Sequence, residues 1–147
     1  MEELYRRIID AWNAGDADAF AAAFLDDGEV VGFDGSQLAG RAAIAAELGR
    51  IFADHPTGRY VAKVRSVRSL APDVALLRAV AGMVPAGQSD LKPELNAVQA
   101  LLAIRRDAGW RAVLFQNTPA QFHGRPDLVE ALTAELALER DQAEEIG

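Results

Sequence analysis

The chain has no cysteine and very little histidine among its 147 residues. The missing cysteine excludes disulfides, thiolate nucleophiles and cysteine-ligated metals. The 2 histidines, His55 and His123, are far apart in the sequence, and neither has a second histidine beside it to complete a metal site. No glycine-rich phosphate turn follows a predicted strand. We therefore expect neither a metal nor a cofactor.

The chain also lacks long apolar runs and any surplus of positive charge. No run reaches the roughly 20 apolar residues of a membrane-spanning helix, and acids follow Met1 where a signal peptide needs a basic start. Most of the net charge of -7 lies in residues 126–147, and the nearly neutral remainder offers no broad basic surface for phosphates. We therefore expect a cytoplasmic protein that binds neither nucleic acid nor a membrane.

Apolar residues, at 50%, are what the chain has in abundance, and its length suits a single domain. In the first half they recur at helical spacing, which predicts three helices. The first helix ends at Gly15, Asp16 caps a short second one, and the third covers residues 41–53. A short strand is predicted at residues 29–33. The predicted turns are Asp26-Asp27-Gly28 and Asp34-Gly35-Ser36.

The second half is rich in Val, Leu and Ile and is divided by turn residues such as Asp107-Ala108-Gly109, which predicts an antiparallel meander. Its strands are expected at residues 59–70, 74–84, 96–106 and 110–118. Both alternating sets of residues 74–84 are largely apolar, as in a sheet that is covered on both faces. The three helices would cover one face, and a homodimer would cover the other. An acidic C-terminal helix at residues 126–145 completes the predicted α+β fold.

Several short motifs follow one another in a fixed order along the chain. In the first half they are Trp12-Asn13-Ala14-Gly15-Asp16, Phe24-Leu25-Asp26-Asp27-Gly28 and Gly40-Arg41-Ala42-Ala43-Ile44. In the second half they are Ala81-Gly82-Met83-Val84-Pro85, Asn96-Ala97-Val98-Gln99, Gly109-Trp110-Arg111, Phe115-Gln116-Asn117-Thr118-Pro119 and Gln121-Phe122-His123-Gly124-Arg125-Pro126. The first set resembles the SnoaL-like and nuclear transport factor two-like proteins. The second resembles their SgcJ/EcaC branch, whose small proteins are associated with enediyne polyketide gene clusters.

This resemblance implies one SnoaL-like domain over residues 1–147. Its fold would be a cone of three N-terminal helices on a curved, mostly antiparallel sheet, with a dimer through the sheets and a pocket between helices and sheet. Such domains include ketosteroid isomerases, polyketide cyclases, dehydratases and pure binding or assembly modules, so the fold does not select the chemistry. An ungapped alignment puts the isomerases' oxyanion tyrosine on Ile8 and their base aspartate on Gly32. Neither role transfers to this chain.

Three residues are candidates for catalysis: Asp34, His55 and Asn117. An acid–base enzyme needs a titratable group in a partly dry cleft. Asp34 and His55 follow predicted elements that would form the rim of the pocket. The alternative for each is a role as a turn residue or helix cap. Asn117 belongs to a set of amides in apolar strands, which need hydrogen-bond partners if they are buried.

The candidates for ligand binding are amides and aromatics. The amides are Asn96, Gln99 and Gln116, and their alternative role is to bond across strands or across a dimer. The aromatics are Tyr5, Trp12, Phe24, Phe33, Phe52 and Phe115. They would wall a cavity for a flat or polyene ligand, unless they pack in the core. The loop at residues 85–93 is either a cover for the pocket mouth or an ordinary connection.

Two functional hypotheses follow. In the first, the domain binds a small hydrophobic ligand or polyketide intermediate and assists its isomerisation, cyclisation or dehydration as a cofactor-independent enzyme. In the second, it is a non-catalytic binding or assembly module that acts through a protein partner such as a polyketide synthase. The second hypothesis is motivated by the missing acid–base pair of the isomerases and by the acidic C-terminal helix.

Overall fold

A single curved sheet with helices on both faces organises residues 1–107 and 109–146, the part of the chain that the computed structural model describes, with backbone alone at 144–146. The helices are α1 (Glu2–Ala14), α2 (Ala17–Ala22), α3 (Arg41–Asp54), α4 (Pro126–Ile146) and a 3-10 turn (Pro93–Leu95). The strands are β1 (Phe24–Val31), β2 (Gln37–Ala39), β3 (Arg59–Ala71), β4 (Val74–Val84), β5 (Ala97–Arg106) and β6 (Gly109–Pro119). Within these described residues, no helix is both long and apolar enough to cross a membrane.

The strand order in the sheet is β2-β1-β6-β5-β4-β3. All neighbouring strands run antiparallel except β1 and β6, which are parallel. Register shifts interrupt the pairing at Leu102/Ala103 and at Val64/Ser66. Because such irregularities increase the local twist, they curve the sheet. The predicted α+β class, with three early helices and a meander of four strands, is confirmed.

The reversal between the first two helices lies where the sequence predicts, although α2 ends at Ala22, before the predicted turn. Gly15 ends α1 in the left-handed conformation, with φ at 66°, which glycine adopts without steric cost. The Asp16 side chain then caps α2 by accepting a hydrogen bond of 3.0 Å from the backbone N–H of Ala19. The sharp reversal lays α1 and α2 side by side, and both pack their apolar sides toward the sheet.

We call the face of the sheet under α1, α2 and α3 the front face. Its core joins Tyr5 and Ile8 of α1 and Ile44 of α3 to Leu77 and Leu101 of the sheet, all of them fully buried. Burial of side chains of this size contributes about 1.5–3 kcal/mol each relative to leaving them in water. This front core is the main hydrophobic core of the described residues.

The opposite side of the sheet, the back face, is covered at one end by α4. Leu132 and Leu136 of α4 pack against Val80, Val84 and Leu91 in a second buried cluster. On the exposed edge of α4, Glu135 forms ion pairs with Lys63 and Arg65 of β3. The chain itself therefore supplies part of the second cover for which the sequence predicted a dimer.

The structure corrects two expectations in the first half of the chain. Strand β1 begins at Phe24, so Asp26-Asp27-Gly28 lies within it and is not a turn out of α2. A register shift between Phe24 and Glu29 accommodates these residues, and Gly28 is needed because a Cβ there would lie 2.9 Å from the carbonyl oxygen of Ala112. The short edge strand β2 was not predicted, because three residues carry too little pattern.

The two remaining turn predictions have different outcomes. The Asp34-Gly35-Ser36 turn is confirmed by two backbone hydrogen bonds, from Gly35 N–H to the Gly32 carbonyl and from Gly32 N–H to the Ser36 carbonyl. The turn between β5 and β6 was placed at residues 107–109, and Ala108 lies outside the described residues.

Candidate functional site

The front face is not completely filled by the helices above it. A cavity of about 480 Å³ remains between α1, α3 and the ends of β1 and β6, and it opens to solvent. Its wall is mainly apolar and includes Ile8, Trp12, Phe20, Phe33, Ile51 and Phe115. This volume lies within the range of small-molecule sites. The cavity is the candidate functional site.

A hydrogen-bonded chain of four polar side chains lies beneath this cavity, and two of them, Tyr60 and Asn117, form its floor. The Tyr5 hydroxyl donates to Gln99 Oε1 at 2.5 Å, and Gln99 Nε2 donates to Asn117 Oδ1 at 3.1 Å. Asn117 Nδ2 then donates to the Tyr60 hydroxyl oxygen at 3.1 Å. Gln99 and Asn117 are directly opposite each other in the β5–β6 register, so the sheet itself holds the centre of the chain. Each buried amide is thereby provided with a partner.

Both tyrosines of the chain keep their protons over a wide pH range. Burial raises the pKa of Tyr60 to about 12, although the hydrogen bond from Asn117 opposes this shift. Burial also raises the pKa of Tyr5 far above its ordinary value. A phenol in an apolar environment resists ionisation because the phenolate loses its hydration. The floor is therefore uncharged at neutral pH.

The motif Trp12-Asn13 holds Tyr60 in place. The Asn13 side chain pairs with both backbone groups of Tyr60, accepting from its N–H at 2.8 Å and donating to its carbonyl at 3.1 Å. Trp12 donates its indole N–H to the carbonyl of Gly58 at 3.0 Å and packs its ring 5.4 Å from that of Tyr60. These bonds tie the start of β3 to α1. The position of the Tyr60 hydroxyl is therefore fixed from both its backbone and its ring.

The rim of the cavity is charged. The Asp34 carboxylate accepts a 2.9 Å bond from the N–H of Ser36, and this bond lowers the pKa of Asp34. Arg50 pairs with Glu47, whose pKa is lowered chiefly by this hydrogen bond, and with Asp54 at 3.5 Å. Asp34 is thus an ionised carboxylate at the mouth of the cavity. It is also a turn residue, which was the alternative role considered for it.

Five of the predicted site residues line the cavity: Trp12, Phe33, Asp34, Phe115 and Asn117. Three others lie behind its wall or floor. Tyr5 and Gln99 belong to the hydrogen-bond chain without lining the cavity, and Phe24 stacks behind Phe20 with ring centres 5.6 Å apart. The cross-strand role considered for the amides applies to Gln99.

Four predicted site residues lie outside the cavity, and their assignments are corrected. His55 is exposed just beyond α3, and Phe52 packs edge-on against Trp12 without reaching the lining. Gln116 and Asn96 point to the back face, because side chains alternate along strands and their neighbours Phe115 and Ala97 belong to the front side. Asn96 donates there to the hydroxyl of Thr133 at 2.8 Å.

The loop at residues 85–93 also lies on the back side. Its Leu91 belongs to the core under α4, and its Ser89 carbonyl accepts a 3.0 Å bond from Arg140 of that helix. No described residue of this loop lines the cavity, so the interpretation as a cover for the pocket mouth is corrected. The sequence of this loop is polar and contains glycine, which does not assign it to either face of the sheet. Only the position of α4 shows that the loop packs on the back side.

Tyr60, the last residue of the hydrogen-bond chain, was not among the site residues predicted from the sequence. Its signal was available: a phenol among apolar strand residues has an apolar ring and a polar tip, which typically needs a partner when buried. The rim residues Ser36, Glu47 and Arg50 were also missed. They are ordinary surface residues by composition, and only the fold brings them to one opening.

A second hollow, of about 510 Å³, lies outside the front core between α1, β3 and α4. Charged side chains of both signs line it, among them Arg6, Asp10, Arg59 and Glu139. It lacks the apolar wall of the front cavity. We therefore assign the candidate site to the front cavity.

Comparisons with solved structures show the same fold. A domain of unknown function with a cystatin-like fold from Nostoc punctiforme is 26% identical, with a TM-score of 0.78 over 98% of this chain and 90% of that chain. A ketosteroid isomerase-like protein from Erwinia carotovora atroseptica is 17% identical, with a TM-score of 0.64 over 82% and 93%. An NTF-2 like protein of unknown function from Shewanella oneidensis is 18% identical, with a TM-score of 0.66 over 80% and 94%.

The family comparison covers most of the chain. No curated protein gave a significant match. The family described as the SnoaL-like domain matches residues 1–117, which include every described residue that lines the front cavity. The protein therefore belongs to the SnoaL-like domain family.

Proposed function

We propose that the front cavity binds a flat, mainly apolar small molecule. The observation that carries this proposal is an apolar cavity of about 480 Å³ that ends on two polar groups, the Tyr60 hydroxyl and the Asn117 amide. An apolar wall supplies affinity through the area that it removes from water, and a few placed polar groups supply orientation. The family and its ketosteroid isomerase-like structural relative are consistent with such a role.

The finer proposal concerns the ligand and its fate. The resemblance to the SgcJ/EcaC branch favours an intermediate of enediyne-type polyketide biosynthesis, bound in the cytoplasm and isomerised, cyclised or dehydrated without a cofactor. Asp34 at the rim is the lining group suited to accept a proton, and Tyr60 and Asn117 are suited to donate hydrogen bonds to developing negative charge. The lowered pKa of Asp34 makes it a weak base, so it suits only a readily lost proton.

The natural tryptophans provide the test for binding. The chain has 2 tryptophans, of which Trp12 lines the cavity and Trp110 stacks under Arg105 away from it. In the variant Trp110→Phe, we expect saturable quenching of Trp12 by tricyclic aromatic ligands. Adding Val30→Phe, which lies beside Phe115 and Leu38 on the front face, places a ring in the cavity and should weaken binding more than tenfold, by about 1.4 kcal/mol or more.

A matched control separates loss of the cavity from general damage. Val67 of β3 is 42% exposed and far from the lining, so Val67→Phe adds the same bulk without filling the cavity. This control should bind as the parent does. Absence of saturable quenching in the parent, or equal binding by the Val30→Phe variant, would contradict the proposed function.

A second candidate function is a binding or assembly module that pairs through the back face. Beyond α4 this face carries a shallow groove that includes Leu76, Val98 and Ala100. Exposed apolar strands of this kind favour a homodimer through the sheet, or association with a polyketide synthase. Light scattering of the parent and of an Ala100→Glu variant is the test. If the parent protein is monomeric, the homodimer proposal is wrong.

A further inference from the structure

The hydrogen-bond chain under the cavity has a direction, and its buried end determines that direction. An amide oxygen only accepts and an amide nitrogen only donates, so the orientation of Gln99 fixes that of Asn117. The hydroxyls at the two ends are the groups that can either donate or accept. Whichever way the chain runs, one of the two hydroxyl hydrogens has no acceptor within it.

The two ends of the chain differ in their access to solvent. Tyr5 is fully buried and does not line the cavity, whereas Tyr60 lines it. In the observed direction Tyr5 donates to Gln99, and the spare hydrogen belongs to Tyr60, where water or a ligand can accept it. In the reverse direction the spare hydrogen would belong to Tyr5, in a dry core. A buried donor without an acceptor is disfavoured by about tenfold or more.

The cavity floor therefore offers a hydrogen-bond donor. In the described part of the chain, no acceptor takes the Tyr60 hydroxyl hydrogen. Because the pKa of Tyr60 is about 12, this hydroxyl keeps its proton at neutral pH. Arg50 is the one cation among the described lining residues, and it is held at the rim by Glu47 and Asp54. A neutral acceptor matches this floor better than a carboxylate or a donor does.

We propose that Tyr5, without touching the ligand, sets the polarity of the floor so that the cavity selects molecules with a neutral carbonyl over those with an N–H. The ligand class is thus a flat apolar ketone, quinone or aldehyde. This inference rests on the proposed function. Without the Tyr5 hydroxyl, both amides are free to turn over, and Tyr60 can then donate to Asn117 and present its lone pairs to the cavity.

Three tricyclic probes of nearly equal shape test this proposal by equilibrium dialysis. Fluorenone carries a carbonyl, carbazole carries an N–H, and fluorene carries neither. The parent protein should bind fluorenone about tenfold more tightly than carbazole or fluorene, the ratio expected for one neutral hydrogen bond. In Tyr5→Phe, the fluorenone-to-carbazole ratio should fall to about 1, or reverse, since the floor is no longer polarised.

Further variants keep the test decisive. Gln99→Met cuts the chain at its centre, so it should lose the ratio as well, and it replaces Tyr5→Phe if that variant does not fold. Tyr60→Phe removes the donor itself and should bind fluorenone and fluorene equally. Thr133→Val is the matched control, because it removes a partly buried hydrogen bond under α4 and Thr133 does not belong to the chain of four side chains. It should keep the ratio of the parent.

The outcomes separate this inference from the proposed function. If all three probes bind the parent equally well, the cavity binds apolar molecules but its floor has no polarity, and the inference is wrong. If Tyr5→Phe and Gln99→Met keep the fluorenone preference, Tyr5 does not set it, and the inference is again wrong. If no probe binds the parent, the proposed function fails, and this inference fails with it.

Discussion

The two faces of the sheet are covered in opposite ways. On the front face, α1 and α3 leave a cavity, and the polar groups beneath it are joined in a chain that ends at its floor. On the back face, α4 and the loop at residues 85–93 pack so closely that a Cβ on Gly82 would lie 2.9 Å from a methyl carbon of Leu91 and 3.0 Å from one of Leu136.

This difference shows that apolar patterning alone does not distinguish a solid core from a hollow one. Both faces alternate in the same strands, and both present apolar side chains. On the back face a glycine lets the covering helix come close, whereas on the front face large rings such as Trp12 and Phe115 stand at the cavity wall. The proposed ligand site is on the face that is incompletely filled.

The largest expected effect comes from deleting a side chain in the solid core. Leu136 is fully buried under α4, so Leu136→Ala should lower the free energy of unfolding by about 2–5 kcal/mol. Phe33 already faces the open cavity, and Phe33→Ala should cost clearly less despite removing a larger group. Urea denaturation of both variants is the measurement. Equal costs would mean that the two faces are packed alike.

Alkaline pH should weaken the front face next. The pKa of Tyr60 is raised from 10.0 to about 12, so its contribution to stability is complete below pH 10 and is lost as the pH rises through 12. This loss amounts to about 2–3 kcal/mol for two pKa units. Unfolding of the parent and of Tyr60→Phe between pH 9 and 12 is the comparison. Because burial also raises the pKa of Tyr5, the variant should keep part of the loss of stability in alkali. The same pH dependence in the parent and the variant would contradict the burial of Tyr60.

Two glycine substitutions test the same difference between the two faces, with smaller expected effects on stability. Gly82→Ala places a methyl group against Leu91 and Leu136, which should cost about 1–3 kcal/mol of stability. Gly32 at the cavity is not in a left-handed conformation, and a Cβ there would have no neighbour closer than 3.5 Å. Gly32→Ala should therefore be neutral or stabilise by about 0.5 kcal/mol. Thermal unfolding of the pair measures this contrast, and the opposite order would refute it.

The smallest expected effect is the response of α4 to acid. The side-chain hydrogen bond from Arg65 is the main cause that lowers the pKa of Glu135 to about 2. Its stabilising contribution is therefore present above about pH 4.5 and is lost as the pH falls through 2. Because the ion pair is near the surface, Glu135→Gln should cost less than about 1 kcal/mol at neutral pH. Stability measured from pH 2 to 6 should depend less on pH in this variant.

The sequence determines the elements more clearly than it determines the site. Gly15 and Asp16 predict the α1–α2 reversal, and Val, Leu and Ile clusters predict β3 to β6 within a residue or two. The alternation of side chains along a strand assigns Gln99 and Asn117 to a face of the sheet only once the strand register is known. Tyr60 and Asn117 lie far apart in sequence and meet through β5 and β4, so their contact could not be predicted.

The errors have the same origin. Asn96 and Gln116 were grouped with the other amides by residue type, but strand alternation places them on the back face. His55 follows α3 as predicted, but the extended backbone at its position carries it out to solvent and not toward the cavity. Which side of a sheet a helix covers, and how closely, depends on long-range packing that no short motif records.

The most direct test of the hollow front face is a crystal structure determined under xenon pressure. Xenon enters apolar cavities without requiring a known ligand. We expect a xenon peak between Trp12, Phe20 and Phe115, and none under α4 beside Leu132 and Leu136. Side-chain density that fills the front cavity, or a xenon peak only under α4, would contradict the account.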